Sequence, residues 1–327
     1  MHALRVAVIA IGLAVLLTVV IVWIARMYKT KQPKHPSRSP AVSDVSTFEA
    51  AVGPVSADSV DSVDPLARLL ELKTLLHDPQ QTFSISQTLS ELDRLETQLD
   101  PLQPHARSWL LYLRNFVLGK ADRYEEGLPC AIASLRAQQQ SPFLSDNEAL
   151  NFGWQLAEQA KHVGDWSTAI EALRLSVAAS DAVGTPNQQL AIREQLAFCL
   201  HEAEAYEQAM ELNQCVLKEG EQLLGNDSDK LFTVLTNLAQ NAYVLGLREL
   251  AQNCLERRLE LAQKHDCPDQ LDDSLFQLSM LAYESGDSEK ALALMQRRLS
   301  LAQSSQDLHR ITKAQDGLAI LREKLQA

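Results

Sequence analysis

Two nearly identical heptapeptides, RRLELAQ at residues 257–263 and RRLSLAQ at residues 297–303, stand forty residues apart in this chain. A turn-like segment recurs along the chain at intervals of forty to forty-two residues. The matching position in successive turns is held by Asp122, Gly164, Glu204, Gly246 and Gly286. A fixed period of this length is typical of solenoids, in which each repeat stacks on its neighbours. The period therefore predicts five consecutive units over residues 105–304.

Each unit has the pattern of a helical hairpin. Its first helix carries small and apolar residues at helical spacing, as at Leu235, Leu238, Ala239 and Ala242. Five residues after the turn stands a small residue, which is Gly127, Ala169, Ala209, Ala251 or Ala291 in successive units. A small side chain lets the second helix approach the first closely. Neither helix can bury its apolar stripe alone, whereas stacked hairpins can, so the fold class predicted is all-α.

Three features of these units resemble the tetratricopeptide repeat (TPR). They are the small-residue position, the Gly-Asp turns at residues 164–165 and 286–287, and an aromatic residue two places after the turn position (Tyr124, Trp166, Tyr206). The usual TPR unit has 34 residues, so a longer period resembles the lengthened repeats of kinesin light chains. Leu224–Gly246 is similar to that variant, although no His-Pro follows Asp227 and Arg248 replaces the turn aromatic. The resemblance implies an α-α superhelical solenoid that binds other proteins.

The segments flanking the five units also read as helices. Asp64-Pro65 predicts a helix start, with the helix continuing to His77. A Ser-x-x-Gln capping box at Ser84 predicts a second helix. Together the two helices predict a hairpin over residues 65–104, which would be a degenerate repeat. Residues 305–327 continue the period with one unpaired helix, as expected of a capping helix.

The N-terminus predicts a membrane anchor. Val6–Ala25 contains no charged residue and is long enough as a helix to cross a bilayer. The anchor would comprise residues 1–29, and the Pro-, Ser- and Asp-rich residues 30–64 would form a flexible tether. One Arg precedes the span and five Lys or Arg follow it, which favours a cytoplasmic domain; export of the domain is the alternative. Five cysteines without framework spacing also suit a reducing compartment.

Composition and motifs argue against several classes of function. Residues 41–327 hold 24 Lys or Arg and 42 Asp or Glu, and such an acidic body repels nucleic acid. Cys254, His265 and Cys267 match no zinc spacing, and no Gly-rich phosphate loop is present. The Arg pairs of the two heptapeptides are expected to form ion pairs with Glu on a solvated helix face. We therefore expect no cofactor, no metal, no small-molecule substrate, no nucleic acid partner and no catalysis.

The TPR resemblance implies that a second stripe of each first helix lines a concave groove. We call this set the inner stripe, and its candidate binding residues are Trp109, Tyr112, Phe116, Trp154, Glu158, Glu194, Phe198, His201, Tyr243, Phe276, Met280 and Tyr283. Aromatic and Met side chains with scattered acids suit an amphipathic or basic-apolar protein segment. The alternative is that these side chains pack between neighbouring first helices or under the capping helix.

These observations predict a non-catalytic, membrane-tethered scaffold or adaptor that binds a protein or peptide partner. A receptor or assembly factor for transported or secreted proteins is one alternative function. A subunit of an enzyme complex with an unrecognised site is another. The sequence contains no residue set that decides among them.

Overall fold

The computed structural model describes residues 64–100 and 103–326, and within these residues every regular element is a helix. The α-helices are α1 (Pro65–His77), α2 (Ile85–Gln98), α3 (Pro104–Lys120), α4 (Tyr124–Gln140), α5 (Asp146–Val163), α6 (Trp166–Val183) and α7 (Pro186–Glu202). The chain continues through α8 (Tyr206–Leu224), a short 3-10 helix (Asp229–Leu231), α9 (Phe232–Val244), α10 (Arg248–Lys264), α11 (Pro268–Glu284), α12 (Ser288–Ser304) and α13 (Leu308–Gln326).

The helices pair as five consecutive hairpins, α3/α4, α5/α6, α7/α8, α9/α10 and α11/α12, which we number units 1 to 5. Each second helix also packs on the first helix of the next unit, and α13 packs on α12. The described chain is therefore an all-α repeat solenoid, as the period predicts. Helices α1 and α2 both pack on α3. Their status as a degenerate repeat, and that of residues 305–327 as a cap, remain predictions.

The five predicted turn positions all adopt the left-handed backbone conformation. Their φ angles are 55° at Asp122, 77° at Gly164, 62° at Glu204, 74° at Gly246 and 81° at Gly286. In each case the next residue donates its amide hydrogen to the carbonyl five residues back, as from Asp165 N to Ala160 O at 2.9 Å. This bond satisfies a carbonyl left open at the helix end. One cap geometry thus closes the first helix of every unit, whether or not the residue is glycine.

The small residues after each turn are buried where the two helices of a unit meet. Ala251, for example, is 1% exposed. In unit 2 the approach is closest at Gly153, where an added Cβ would lie 2.4 Å from the carbonyl oxygen of Ala172 and 2.4 Å from Ser176 Oγ. No real Cβ tolerates such distances, so this pair of helices depends on the missing side chain.

The second arginine of each heptapeptide is buried, contrary to the expectation of a solvated position. Arg258 on α10 donates to Asp273 Oδ2 at 2.9 Å, and Arg298 on α12 donates to both oxygens of Asp272 at 2.7 and 2.8 Å. The adjacent aspartates of α11 thus receive one arginine from each neighbouring helix. Packing against the next helix buries these positions, whereas Arg257 pairs with Glu221 on a more exposed face, as predicted.

We correct the prediction of a single-pass membrane protein with a cytoplasmic domain. Among the helices of residues 64–100 and 103–326, none combines the length and the apolar character needed to cross a bilayer. The predicted anchor at residues 1–29 lies outside the described residues, as does the predicted tether except for Asp64.

Replacing Ala251 by Leu should destabilise the protein, because the larger side chain must enter the contact between α9 and α10. Overpacking of this kind costs about 1–3 kcal/mol. Chemical denaturation of the purified chain measures the effect. The control is Ala293→Leu on the exposed surface of α12, which should leave the unfolding midpoint nearly unchanged. Equal stability of the two variants would mean that the small residue is not required for pairing.

Glycine should be the better residue at position 204, since a side chain disfavours positive φ by about 1 kcal/mol. Part of that gain is offset by the greater freedom of glycine in the unfolded chain. We expect Glu204→Gly to stabilise the protein by about 0.5 kcal/mol, and Gly164→Ala to destabilise it by about 0.5 kcal/mol, since the same two terms act in both. Thermal unfolding measures the change in melting temperature of both variants. Changes of the same sign would contradict the shared cap geometry.

Candidate functional site

The inner stripe of unit 1 is packed against α1. Trp109 and Tyr112 are only 7% and 6% exposed. The His77 ring stacks on Phe116 with a centroid distance of 4.6 Å, and His77 Nε2 lies 3.1 Å from the Tyr112 hydroxyl. Lys73 Nζ lies 4.4 Å from the centre of the Trp109 ring. The prediction that Trp109 and Tyr112 face a partner is therefore wrong, because α1 and its side chains cover them.

The inner stripe of units 2 and 3 remains partly exposed. Trp154 on α5 is half-buried, with its ring packed against the core. On α7, Glu194, Phe198 and His201 share one helical face and are half-buried as well. The Phe198 ring meets Trp166 edge to face at a centroid distance of 6.1 Å. These residues line up an indole, a carboxyl group, a phenyl ring and an imidazole on consecutive first helices.

Units 4 and 5 continue the stripe towards the C-terminus. Tyr243 is 45% exposed, and its hydroxyl donates to Glu284 Oε1 at 2.8 Å. Two effects raise the pKa of Tyr243 to about 12: partial burial is the larger, and the hydrogen bond to Glu284 is the smaller. Phe276 lies under the guanidinium of Arg298 at 5.0 Å. Met280 and Tyr283 are half-buried on the same helix, α11.

The acidic residues of the stripe differ in their partners. The exposed Glu158 pairs with Lys161 at 2.5 Å. Asp273, which precedes Phe276 by one turn on α11, pairs with Arg258. Glu194 makes neither an ion pair nor a hydrogen bond to any residue in the described part of the chain. Burial raises the pKa of Glu194 to about 7, because the charged carboxylate loses hydration that no neighbour replaces.

Sequence reasoning missed the polar side chains that link successive first helices. His201 Nδ1 lies 2.6 Å from Asn241 Oδ1, and Lys161 Nζ donates to Gln195 Oε1 at 2.8 Å. The first pair, like the pair Tyr243 and Glu284, is separated by about one repeat period. Pairs of complementary polar residues one period apart are thus the signal that would have identified these contacts. They place the residues of the inner stripe side by side.

The inner stripe of units 2 to 5 presents partly exposed rings and one carboxyl group without a partner among the described residues. Within residues 64–100 and 103–326, no three His, Cys, Asp or Glu side chains come together as a metal site. His201 is engaged by Asn241, and Glu194 stands apart from any charged partner. Half-buried rings with a desolvated carboxyl group suit contacts with apolar and cationic side chains.

Comparisons with known proteins identify the fold. The chain resembles the apo form of RapI at 14% identity and a TM-score of 0.53, covering 73% of this chain and 66% of that one. It also resembles a signal transduction ATPase with a tetratricopeptide repeat sensor from Pyrococcus horikoshii at 13% identity and a TM-score of 0.51, covering 79% of this chain and 38% of that one. A putative kinesin light chain with TPR-like repeats from Podosopora anserina matches at 17% identity and a TM-score of 0.48, covering 62% and 98%.

No family model matches the sequence, and no curated protein resembles it closely enough to count as a relative. These structural matches are below 25% identity, so they show the fold alone. The described residues therefore have a TPR-like fold, as the small-residue positions and turns predicted.

Replacing Glu194 by Gln should stabilise the protein at alkaline pH. The pKa of Glu194 rises from 4.5 to about 7 on folding, so the folded state holds the proton more tightly and loses stability as pH rises through this window. We expect Glu194→Gln to gain about 1–3 kcal/mol at pH 8 and little at pH 5. Thermal unfolding at both pH values measures the gain in stability. The control is Glu171→Gln, at an exposed position on α6. A gain that does not depend on pH would contradict the assignment.

Proposed function

We propose that this protein is a non-catalytic TPR-like scaffold whose inner stripe binds a protein or peptide segment. The binding surface would run from Trp154 in unit 2 to Tyr283 in unit 5, without the buried residues of unit 1. The partner would be an extended or amphipathic segment with apolar anchors. The 40–42-residue units would be lengthened repeats like those of kinesin light chains.

The observation that carries this proposal is the partial exposure of large side chains in register. Trp154, Phe198, Phe276 and Met280 are half-buried, and Tyr243 is exposed, although the other stripe of each first helix is fully packed. Rings that keep some surface in water can bury it against a partner. Large aromatic side chains are also the residues that contribute most to binding energy. A TPR-like fold serves many partners, so the support comes from these side chains.

Binding along the stripe can be tested with peptides selected from a random display library on the full-length chain. Trp154→Ala and Tyr243→Ala should each weaken the selected peptides by about tenfold or more, because truncation of an aromatic anchor costs about 2 kcal/mol. Isothermal titration calorimetry measures the affinity. Circular dichroism at the same temperature should show unchanged helix content.

The matched control is Arg297→Gln, since Arg297 is exposed on the second helix of unit 5. Arg257 is less suitable as a control because its guanidinium holds Glu221 and the carbonyl oxygen of Asn226. If Arg297→Gln weakened the peptides while both aromatic variants bound like the wild type, the binding surface would lie on the second helices.

A further inference from the structure

Resting on the proposed function, we infer that Glu194 selects a lysine or arginine in the partner. The occupant of the inner stripe beside Trp154 and Phe198 is then a mainly apolar peptide segment that places one cationic side chain on this carboxylate. The cation would supply the partner that Glu194 lacks within the protein.

The carboxyl group of Glu194 is the first ground for this inference. It is half-buried on α7 and has no bonded partner among the described residues. A buried charge without a partner is costly. Phe198, one turn further along the same face, adds apolar surface beside it. A bound cation would recover the lost electrostatic energy of an ionised carboxylate in this setting.

The charged groups nearest in the fold are already committed elsewhere. Arg193, the preceding residue, pairs with Asp181 on α6 at 2.6 Å and with Glu219 on α8 at 3.0 Å. Lys161 on α5 pairs with Glu158 and Gln195.

Two further titratable groups lie on α7 itself and on the next first helix, α9. The His201 ring on α7 is held by Asn241 and meets the Tyr206 ring of α8. On α9 the titratable side chain is Tyr243, bonded to Glu284. Glu194 has no charged partner among the described residues, so the complementary charge would come from the bound segment.

The same chain shows how such a cation is accommodated. Lys73 of α1 lies over the Trp109 ring at 4.4 Å and forms an ion pair with Glu148 of α5. An indole and a glutamate from consecutive units thus hold one lysine, which comes from an otherwise leucine-rich helix with Leu69, Leu72 and Leu76 buried. Trp154 of unit 2 and Glu194 of unit 3 are likewise an indole and a glutamate on consecutive first helices, forty residues apart in the sequence.

The overall charge of the protein favours such a ligand. Beyond residue 40 the chain has 42 acidic and 24 basic residues, so its field attracts cationic segments and speeds their encounter. That field acts at long range and is screened by salt. Selectivity for a cation at one position of the ligand needs a local carboxylate, which Glu194 provides.

The test compares peptide selections on the full-length wild type, Glu194→Gln and Glu171→Gln. The wild type and Glu171→Gln should enrich peptides that carry a Lys or Arg between apolar residues. Glu194→Gln should enrich apolar peptides without that preference, and Glu194→Asp should restore it in part. Equal basic content in the peptides from wild type and Glu194→Gln would overturn the inference.

The affinity of the leading wild-type peptide gives a second measurement. Changing its Lys or Arg to Gln should weaken binding to the wild type about tenfold, which corresponds to about 1.4 kcal/mol, and to Glu194→Gln by less than about twofold. Because Glu194 ionises near pH 7, the basic peptide should bind the wild type more tightly at pH 8 than at pH 6. Affinity that is independent of pH in the wild type would contradict the inference.

Failure of the proposed function has a different signature. If no selected peptide is weakened by Trp154→Ala or Tyr243→Ala, the stripe is not the binding surface and both proposals fall. If the aromatic variants weaken the peptides but Glu194→Gln leaves their basic content unchanged, only the role of Glu194 is overturned.

Discussion

The close contact between the two helices of each unit is the constraint on which the rest of the structure depends. Ala251 and its counterparts let the second helix approach the first, and in unit 2 Gly153 allows an approach that no side chain would permit. The left-handed residue at each turn sets the direction in which the second helix returns. Because these two features recur at the same period, each unit presents the same faces to its neighbours, and stacking follows.

Stacking is not equally apolar along the chain. In units 2, 4 and 5 the residue four places after the small position is Leu173, Leu255 or Met295, whereas unit 3 has Asn213. Asn213 is fully buried, and its side chain has no hydrogen-bond partner in the described part of the chain. Two core clusters meet at this place, one ending at Ala209 and the other beginning at Val216. The boundary between the clusters thus lies within α8, and Val216 packs with the apolar residues of unit 4. The contact between units 3 and 4 combines this packing with the polar link between His201 and Asn241.

The inner stripe is buried in unit 1 and partly exposed from unit 2 onwards, so its proposed role in recognition is confined to units 2 to 5. In unit 1 its rings are used for packing, since α1 covers Trp109 and Tyr112. From unit 2 onwards the stripe keeps surface in contact with solvent, and Glu194 carries a carboxyl group that destabilises the folded state when ionised. Groups that destabilise the folded state without forming a compensating contact are typical of functional sites. The unpaired carboxyl group of Glu194 is therefore the feature on which the proposed cationic, apolar partner depends.

The sequence by itself determined the all-α class, the period, the turn positions and the small residues, because each of these depends on local backbone and helix-pairing requirements that recur in every unit. It also identified α1 from Asp64 to His77 through its N-terminal cap. It did not show that Trp109 and Tyr112 are buried, or that Arg258 and Arg298 pair with Asp273 and Asp272. Those outcomes depend on which helix packs against each face. A period specifies that neighbours exist, but only the tertiary structure decides which side chains a neighbour covers and which carboxylate it leaves without a partner.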